Sequence, residues 1–86
     1  MADPISAVED ALEAAGRSCL RLIGTRSLSL EQARKLAKWM FGCMNQRYTI
    51  RERVAKHGPG ELKKVLKFVA KTWEDLSAID EASKDK

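Results

Sequence analysis

The spacing of apolar residues is the feature that most constrains how this chain can fold. In residues 4–23, apolar side chains recur at alternating intervals of three and four positions, which places them on one face of a helix. Similar spacing continues through residues 30–56 and 61–79. No stretch alternates apolar and polar residues with the period of two that is typical of a strand. The sequence therefore predicts an all-α fold of three helices with a long central helix.

Capping residues support the predicted start of the first two helices. Asp3 precedes Pro4, a residue that suits the first position of a helix, and Gly24 follows the last apolar position of that helix. Ser29 and Gln32 have the spacing of a capping box at the start of the second helix.

The second helix contains one feature that leaves its continuity open. Thr49 and Glu52 have the spacing of a further capping box and could begin a separate short helix. The sequence HGPG at residues 57–60 is a much stronger break. We therefore expect one helix to about Lys56, with an apolar face formed by Ala33, Leu36, Ala37, Met40, Met44 and Tyr48.

The length of the chain predicts one small domain, residues 1–79, followed by a flexible tail, residues 80–86. A monomer of 86 residues buries only about 60–65% of its unfolded surface, and small domains of this kind often self-associate, so the length leaves a homodimer open. No apolar run approaches the ~20 residues of a membrane span, and no signal peptide is recognisable. Cys19 and Cys43 lie among apolar residues, which predicts buried thiols and a cytoplasmic protein.

Positive charge is concentrated in the middle of the chain. The formal net charge is +4, to which residues 1–24 contribute −2, residues 25–60 contribute +6 and residues 61–86 contribute zero. Within the central helix, several polar and basic residues fall on about a third of the circumference, and we call this set the basic stripe. The basic stripe consists of Lys35, Lys38, Gly42, Asn45, Gln46, Thr49, Arg53 and Lys56.

Gly42 lies at the centre of the basic stripe, where a glycine costs about 1 kcal/mol of helix stability relative to alanine. A missing side chain permits close approach of another backbone, either a nucleic-acid strand or a partner helix. The structural alternative is a solvated face that is basic by chance, with Gly42 packed against another helix of the same chain.

Arg47 and Arg51 project toward the predicted apolar face of a continuous helix. One explanation is a kink at Tyr48–Thr49 that rotates the face. Another places both arginines at the end of the core or at a dimer interface, paired with Glu9, Asp10 or Glu13 of the first helix. A third is that they reach a ligand. Burial without a partner is excluded by its cost.

The residue pattern favours no enzyme class. His57 lies in the predicted turn, and the two cysteines lack the CxxC or Cys/His spacing of a zinc site. Only composition allows Cys43 and His57 as a nucleophile pair. No glycine-rich phosphate loop is present in the sequence. We therefore expect no catalytic residues, no metal and no cofactor. Trp39, at the border of the basic and apolar faces, is interpreted as a core or interface residue.

One stretch resembles a known family. In GCMNQRYTIRERV, at residues 42–54, a Cys, an apolar residue and Asn are followed by basic residues and then by Thr, a β-branched residue and Arg. This order, with DALEAAG in the first helix and the turn at Pro59, is similar to the RNA-silencing suppressors of insect nodaviruses. That resemblance implies an all-helical homodimer in which two antiparallel copies of the long helix lie along double-stranded RNA. It also implies a location in the cytoplasm of a host cell if the protein is viral. Cys43, a basic position at Gln46 or Arg47, and Arg53 would match the contact positions of the family. The match needs a one-residue gap near Arg47, and the segment before Pro59 is about three residues shorter than in the family.

The leading functional hypothesis is therefore binding of double-stranded RNA without sequence preference, which would sequester the duplex from silencing enzymes. The expected partners are double-stranded RNA and a second copy of the chain, with no small-molecule substrate and no membrane. An alternative is a small helical protein–protein interaction module, an inhibitor or adaptor, that uses Trp39, Phe41 and Trp73 as anchors. The candidate nucleic-acid-binding residues are Arg34, Lys35, Lys38, Asn45, Gln46, Arg47, Thr49, Arg53 and Lys56.

Overall fold

A computed structural model describes residues 3–84 of the chain. It contains three helices, α1 (Pro4–Thr25), α2 (Leu30–His57) and α3 (Gly60–Ser83), and no strand among the residues described. The predicted all-α class and the long central helix are confirmed. In this part of the chain, no helix has both the length and the apolar character needed to cross a membrane.

The predicted caps form at the start of α1 and α2. The side chain of Asp3 accepts a hydrogen bond of 3.1 Å from the backbone N–H of Ile5. In the capping box of α2, the Ser29 hydroxyl accepts from the Gln32 N–H at 3.1 Å, and the Gln32 side chain accepts from the Ser29 N–H at 2.9 Å. These bonds satisfy backbone donors that have no partner inside the helix.

Helix α2 is continuous through the second capping-box sequence. The Thr49 hydroxyl donates a hydrogen bond of 3.0 Å to the carbonyl of Asn45, one turn earlier, instead of capping a new helix. The helix ends where Gly58 adopts a φ of +89°, in the left-handed region that favours glycine, and its N–H donates to the Val54 carbonyl at 2.8 Å. The prediction of one helix to about Lys56 is confirmed.

Ion pairs at both ends of the bundle show its up-down-up arrangement. Arg51, near the end of α2, bonds to Glu9 and Asp3 near the start of α1. Arg26, directly after α1, bonds to Asp80 near the end of α3 at 2.8 Å. Consecutive helices are therefore antiparallel, and the contact between α1 and α2 is the most extensive of the three.

The core comprises two clusters of buried side chains along the bundle. Near the start of α1, the buried residues are Val8, Leu12, Ala15, Cys43, Ile50, Val65 and Val69. Near the end of α1, they are Cys19, Leu22, Leu36, Leu76 and Ile79. Both cysteines are buried and free, and burial raises the pKa of Cys19 to about 11.

The predicted apolar face of α2 is wrong in its orientation. The buried residues are Leu36, Cys43 and Ile50, which recur every seven positions, whereas Met44 and Tyr48 are 46% and 81% exposed. The buried side of α2 lies about a quarter-turn away from the predicted one. The reason is that α2 packs between α1 and α3, so that its buried residues face both helices. This rotation turns one flank of the basic stripe toward α3.

Gly42 packs against α3. A Cβ atom placed on Gly42 would lie 2.6 Å from Cζ of Phe68, a distance that Cβ contacts essentially never show. The Phe68 ring also contacts Trp39, with ring centroids 5.0 Å apart. The structural interpretation of the glycine, close approach of another helix of the same chain, is therefore the correct one.

The predicted flexible tail begins too early. Helix α3 continues to Ser83, which is buried, and Asp80 is fixed by its bond to Arg26. These contacts stabilise residues 80–83 as helix although their sequence is polar. The remainder of the predicted tail at residues 85–86 lies outside the described residues.

We predict that alanine at Gly42 fails to give the stability that alanine normally adds to a helix. Gly24, which has no neighbour within 4 Å, is the matched control, and Gly24→Ala should raise the free energy of unfolding by up to about 1 kcal/mol. Gly42→Ala should leave that energy unchanged or lower it, because the Phe68 ring must move. Chemical denaturation measures both, and an equal gain at the two sites would contradict the proposed close contact.

Candidate nucleic-acid interface

The structure divides the predicted binding residues among three surroundings. Five of them are exposed on the side of α2 away from the core and lie within about 60° of its circumference. We call this set the outer edge: Arg34, Lys38, Asn45, Thr49 and Lys56. The remaining predicted residues are turned toward α3 or toward α1.

Lys38 and Arg34 are the two available cations of the outer edge. Lys38 is exposed and has no ion pair or side-chain hydrogen bond among residues 3–84. Arg34 is equally without a partner in that range, whereas Lys56 faces Glu52 at 3.6 Å on the same exposed helix surface. Exposed pairs of this kind contribute little to stability, so Lys56 can exchange Glu52 for another anion at small cost.

Lys35, Gln46 and Arg53 face α3. Arg53 donates from Nε to Glu61 at 3.0 Å and also bonds to the side-chain oxygen of Gln46. Only 27% of the Arg53 side chain is exposed. Lys35 lies 3.8 Å from Asp75, whose carboxylate also accepts a hydrogen bond of 2.8 Å from the indole N–H of Trp39. Gln46 and Arg53, which were predicted to bind nucleic acid, therefore use their side chains in this structure to join α2 and α3.

Arg47 and Arg51 face α1, as the account that paired them with the acidic first helix predicted. Arg47 lies 3.5 Å from Glu13, and Arg51 binds Glu9 at 2.9 Å and Asp3 at 3.3 Å. The hydrogen bonds that Arg51 donates to Glu9, together with the charge of that carboxylate, raise the pKa of Arg51. Arg47 thus lies on the flank of α2 away from the outer edge, and the helix needs no kink to pair either arginine.

Cys43 does not reach the surface. Its side chain is 1% exposed, and its sulfur lies 3.8 Å from the hydroxyl of Thr72 in α3. Burial raises the pKa of the Cys43 thiol. The family resemblance implied that Cys43 contacts RNA, but in this structure Cys43 belongs to the core.

Helix α3 brings further cations to the same side of the bundle. At 100° per residue, Lys64 and Lys71 lie within about 60° of Phe68, which contacts α2, and Lys67 lies further toward solvent. All three are exposed, and Lys64 also pairs with Glu61 at 3.0 Å. Their spacing places these lysines on the polar face of α3, opposite its apolar residues. Only the contact at Phe68 shows that this face adjoins the outer edge.

The opposite side of the bundle carries the acidic residues of α1. Glu9 and Glu13 bond to arginines of α2, and Asp10 is exposed. Arginines on the same side therefore balance the carboxylates of α1, whereas the outer edge and the lysines of α3 carry an excess of positive charge. Such asymmetry favours an anionic partner at the basic side. In the described part of the chain, no group of three Cys, His, Asp or Glu residues is arranged to hold a metal ion.

Comparisons with known proteins add no relative. No protein-family model matches the sequence, and no match was found among curated proteins or solved structures. The resemblance to the nodavirus suppressors therefore stays a prediction.

We predict that the pairing of Glu61 makes the fold sensitive to acid. Hydrogen bonds from Lys64 and Arg53 hold the pKa of Glu61 below its ordinary value of 4.5. The unfolded chain then binds more protons than the folded chain at moderately acidic pH, so this stabilisation is present above about pH 5 and is lost as the pH falls through the lowered pKa. Glu61→Gln should lower the free energy of unfolding at neutral pH, and the difference from the parent should shrink by about pH 3.

Urea denaturation of both proteins at several pH values measures this difference, with Glu74→Gln as a control at an exposed position on the same helix. A difference between parent and Glu61→Gln that stays constant from neutral pH to about pH 3 would show that Glu61 does not titrate with a lowered pKa.

Proposed function

We propose that this protein binds double-stranded RNA without sequence preference and sequesters it from enzymes of RNA silencing. The observation that carries the proposal is the outer edge of α2, where Lys38 and its neighbours are exposed beside the lysines of α3. Lys38 and Lys56 would neutralise phosphates, and Asn45 and Thr49 would bond to phosphate or 2′-hydroxyl oxygens. No catalysis and no cofactor is part of the proposal.

The shape of the molecule supports recognition of a duplex. The described chain measures 45 × 24 × 17 Å, and α2 alone spans about 42 Å. Arg34 and Lys56 are about 33 Å apart along the helix axis. A straight surface of this kind can follow phosphates along an A-form helix, whose narrow major groove does not admit side chains for base reading. Binding through phosphates alone would be independent of sequence.

We also propose that two copies pair through an exposed apolar stripe on α2. Four large apolar residues lie within about 60° of the helix circumference next to the outer edge, and we call them the apolar ridge. The apolar ridge consists of Leu30, Phe41, Met44 and Tyr48, which are 68%, 59%, 46% and 81% exposed. Phe41, Met44 and Tyr48 follow one another at spacings of three and four residues, and Leu30 lies about 16 Å further along the helix axis. Exposed apolar surface of this kind commonly marks an interaction site.

Charge along the ridge favours an antiparallel pair. Arg34 and Glu52 lie at the same angle on α2, on either side of Phe41 and Met44. An antiparallel pair centred between Phe41 and Met44 sets Arg34 close to Glu52 of the partner subunit, whereas in a parallel pair the two residues stay about 27 Å apart along the helix axis. The two-fold axis of the antiparallel pair runs perpendicular to both helices and between them. It therefore keeps both outer edges on one face, which doubles the basic surface available to one duplex.

The apolar ridge equally favours the second candidate, a protein–protein interaction module. In that case Phe41 and Tyr48 would bind a different protein, and the basic side would help to select an acidic partner. Phe41 and Trp73 are exposed among the proposed anchors, whereas Trp39 is held by Phe68 and Asp75. The oligomeric state and RNA binding together separate the two candidates.

We predict that Lys38→Ala with Lys56→Ala weakens binding to double-stranded RNA by about 10- to 100-fold. The variant should also reduce by about two the slope of log affinity against log salt, because two phosphate contacts are lost. The measurement is a gel-shift titration at two salt concentrations with matched double-stranded RNA, double-stranded DNA and single-stranded RNA.

The matched control is Arg17→Ala with Arg21→Ala, which removes the same charge from exposed positions of α1. This control should bind nearly as the parent does. Absence of binding to any of the three nucleic acids at low salt would reject the proposed function. Equal loss in both variants would show that net charge, and not the outer edge, determines binding.

We predict that the parent protein is a dimer of 9.6 kDa chains and that Phe41→Ser with Tyr48→Ser makes it a monomer with unchanged helicity. Size-exclusion chromatography with light scattering measures the mass, and circular dichroism measures the helicity. Leu66→Ser, at another exposed apolar position, is the control and should stay dimeric. A parent that is monomeric at every concentration would reject the dimer and favour a different protein as the occupant of the ridge.

A further inference from the structure

A groove lies between α2 and α3, beside the contact of Gly42 with Phe68. Its volume is about 690 Å³, and its apolar walls include Trp39, Phe41 and Phe68. This volume falls within the range of roughly 300–1,000 Å³ that is typical of small-molecule sites. The Phe68 ring lies across Gly42 and against Trp39. The floor of the groove is therefore aromatic and fixed by packing.

Two lysines give the groove a positive rim. Lys35 and Lys38 both line it, and Lys38 has no anionic partner among residues 3–84. Asp75 lines the groove as well, but its carboxylate accepts the Trp39 N–H at 2.8 Å and faces Lys35 at 3.8 Å. The negative charge of Asp75 is therefore already compensated, and the charge left to attract a ligand is that of Lys38.

Asn45 adds a neutral polar group to the same rim. It is exposed, lines the groove and has no side-chain hydrogen bond among the described residues. An amide offers both a donor and an acceptor, so Asn45 can bond to a heteroatom or an anionic group of a ligand. An aromatic floor with a few polar groups at its margin is the usual composition of a binding site for a flat ligand.

We propose that this groove binds a small planar aromatic molecule that carries an anionic group. The ring lies against Trp39 and Phe68, and the carboxylate, sulfonate or phosphate of the ligand bonds to Lys38. The site shares Lys38 and Asn45 with the outer edge, so a ligand in the groove would compete with a duplex, although binding of a small anion does not require one. A nucleotide and an aromatic acid share the required chemistry, and the experiment below separates them.

The test titrates the full chain, in a Trp73→Phe background, with 8-anilinonaphthalene-1-sulfonate and, separately, with adenosine monophosphate. Trp39 is then the only tryptophan, so quenching of its fluorescence reports binding in the groove. We expect saturable binding of at least the sulfonate probe, with one site per chain. Saturation by both ligands supports a nucleotide site, and saturation by the sulfonate alone supports a site for aromatic acids.

Two variants connect the binding to the groove. Lys38→Ala should weaken binding at least five-fold, whereas Lys63→Ala, which removes an exposed lysine from the side of α3 away from α2, should leave it unchanged. Near-UV circular dichroism verifies that each variant keeps its packed aromatic residues. The proposal is overturned if neither ligand saturates, or if Lys38→Ala and Lys63→Ala bind alike.

Discussion

The contact between Gly42 and Phe68 determines which residues of α2 remain on the surface. The absence of a side chain at Gly42 allows α3 to approach closely, and the Phe68 ring fills that space. Once α3 is there, Lys35 faces Asp75, Arg53 faces Glu61, and Trp39 bonds to Asp75. The basic stripe is thus divided: one flank stabilises the bundle, and the other stays exposed as the outer edge.

The predicted fold came from signals that are local in the chain, and these proved sufficient for the helices. The capping residues Asp3 and Ser29 and the break before Pro59 determined where helices start and stop. The pairing of Arg51 with Glu9 was among the three explanations that the residues left open, since a basic residue on an apolar side needs an acidic partner. The hydrogen bond of Thr49 back to Asn45 explains why a capping sequence within α2 does not begin a new helix.

The orientation of α2 could not be predicted from its periodicity, because this helix has apolar residues on two sides. One side, with Cys43 and Ile50, is buried, and the other forms the apolar ridge. Hydrophobicity alone does not tell a core face from an exposed ridge. The pair of Arg53 and Glu61 was missed for a similar reason, since its two members lie in different helices on either side of the turn. The only signal for this pair in the sequence was a basic residue, Arg53, shortly before the turn and an acidic residue, Glu61, shortly after it.

The surfaces that remain exposed on α2 lie side by side and favour different partners. The apolar ridge favours a second helix, the outer edge favours phosphates, and the groove beside Phe68 favours a flat anionic molecule. Their adjacency has a physical cause, because α1 and α3 cover the other side of α2. An antiparallel pair formed through the ridge would keep the outer edges exposed, so that dimerisation and duplex binding are compatible.

The most direct test of the proposed division of α2 is a nuclear magnetic resonance titration of the full chain with a duplex RNA of arbitrary sequence. Binding at the outer edge predicts the largest shift changes at Lys38, Asn45 and Lys56, with smaller changes at Lys67 and Lys71 of α3. The acidic residues on the outside of α1 should not change. Shift changes centred on α1, or none at a saturating concentration of RNA, would contradict the proposal.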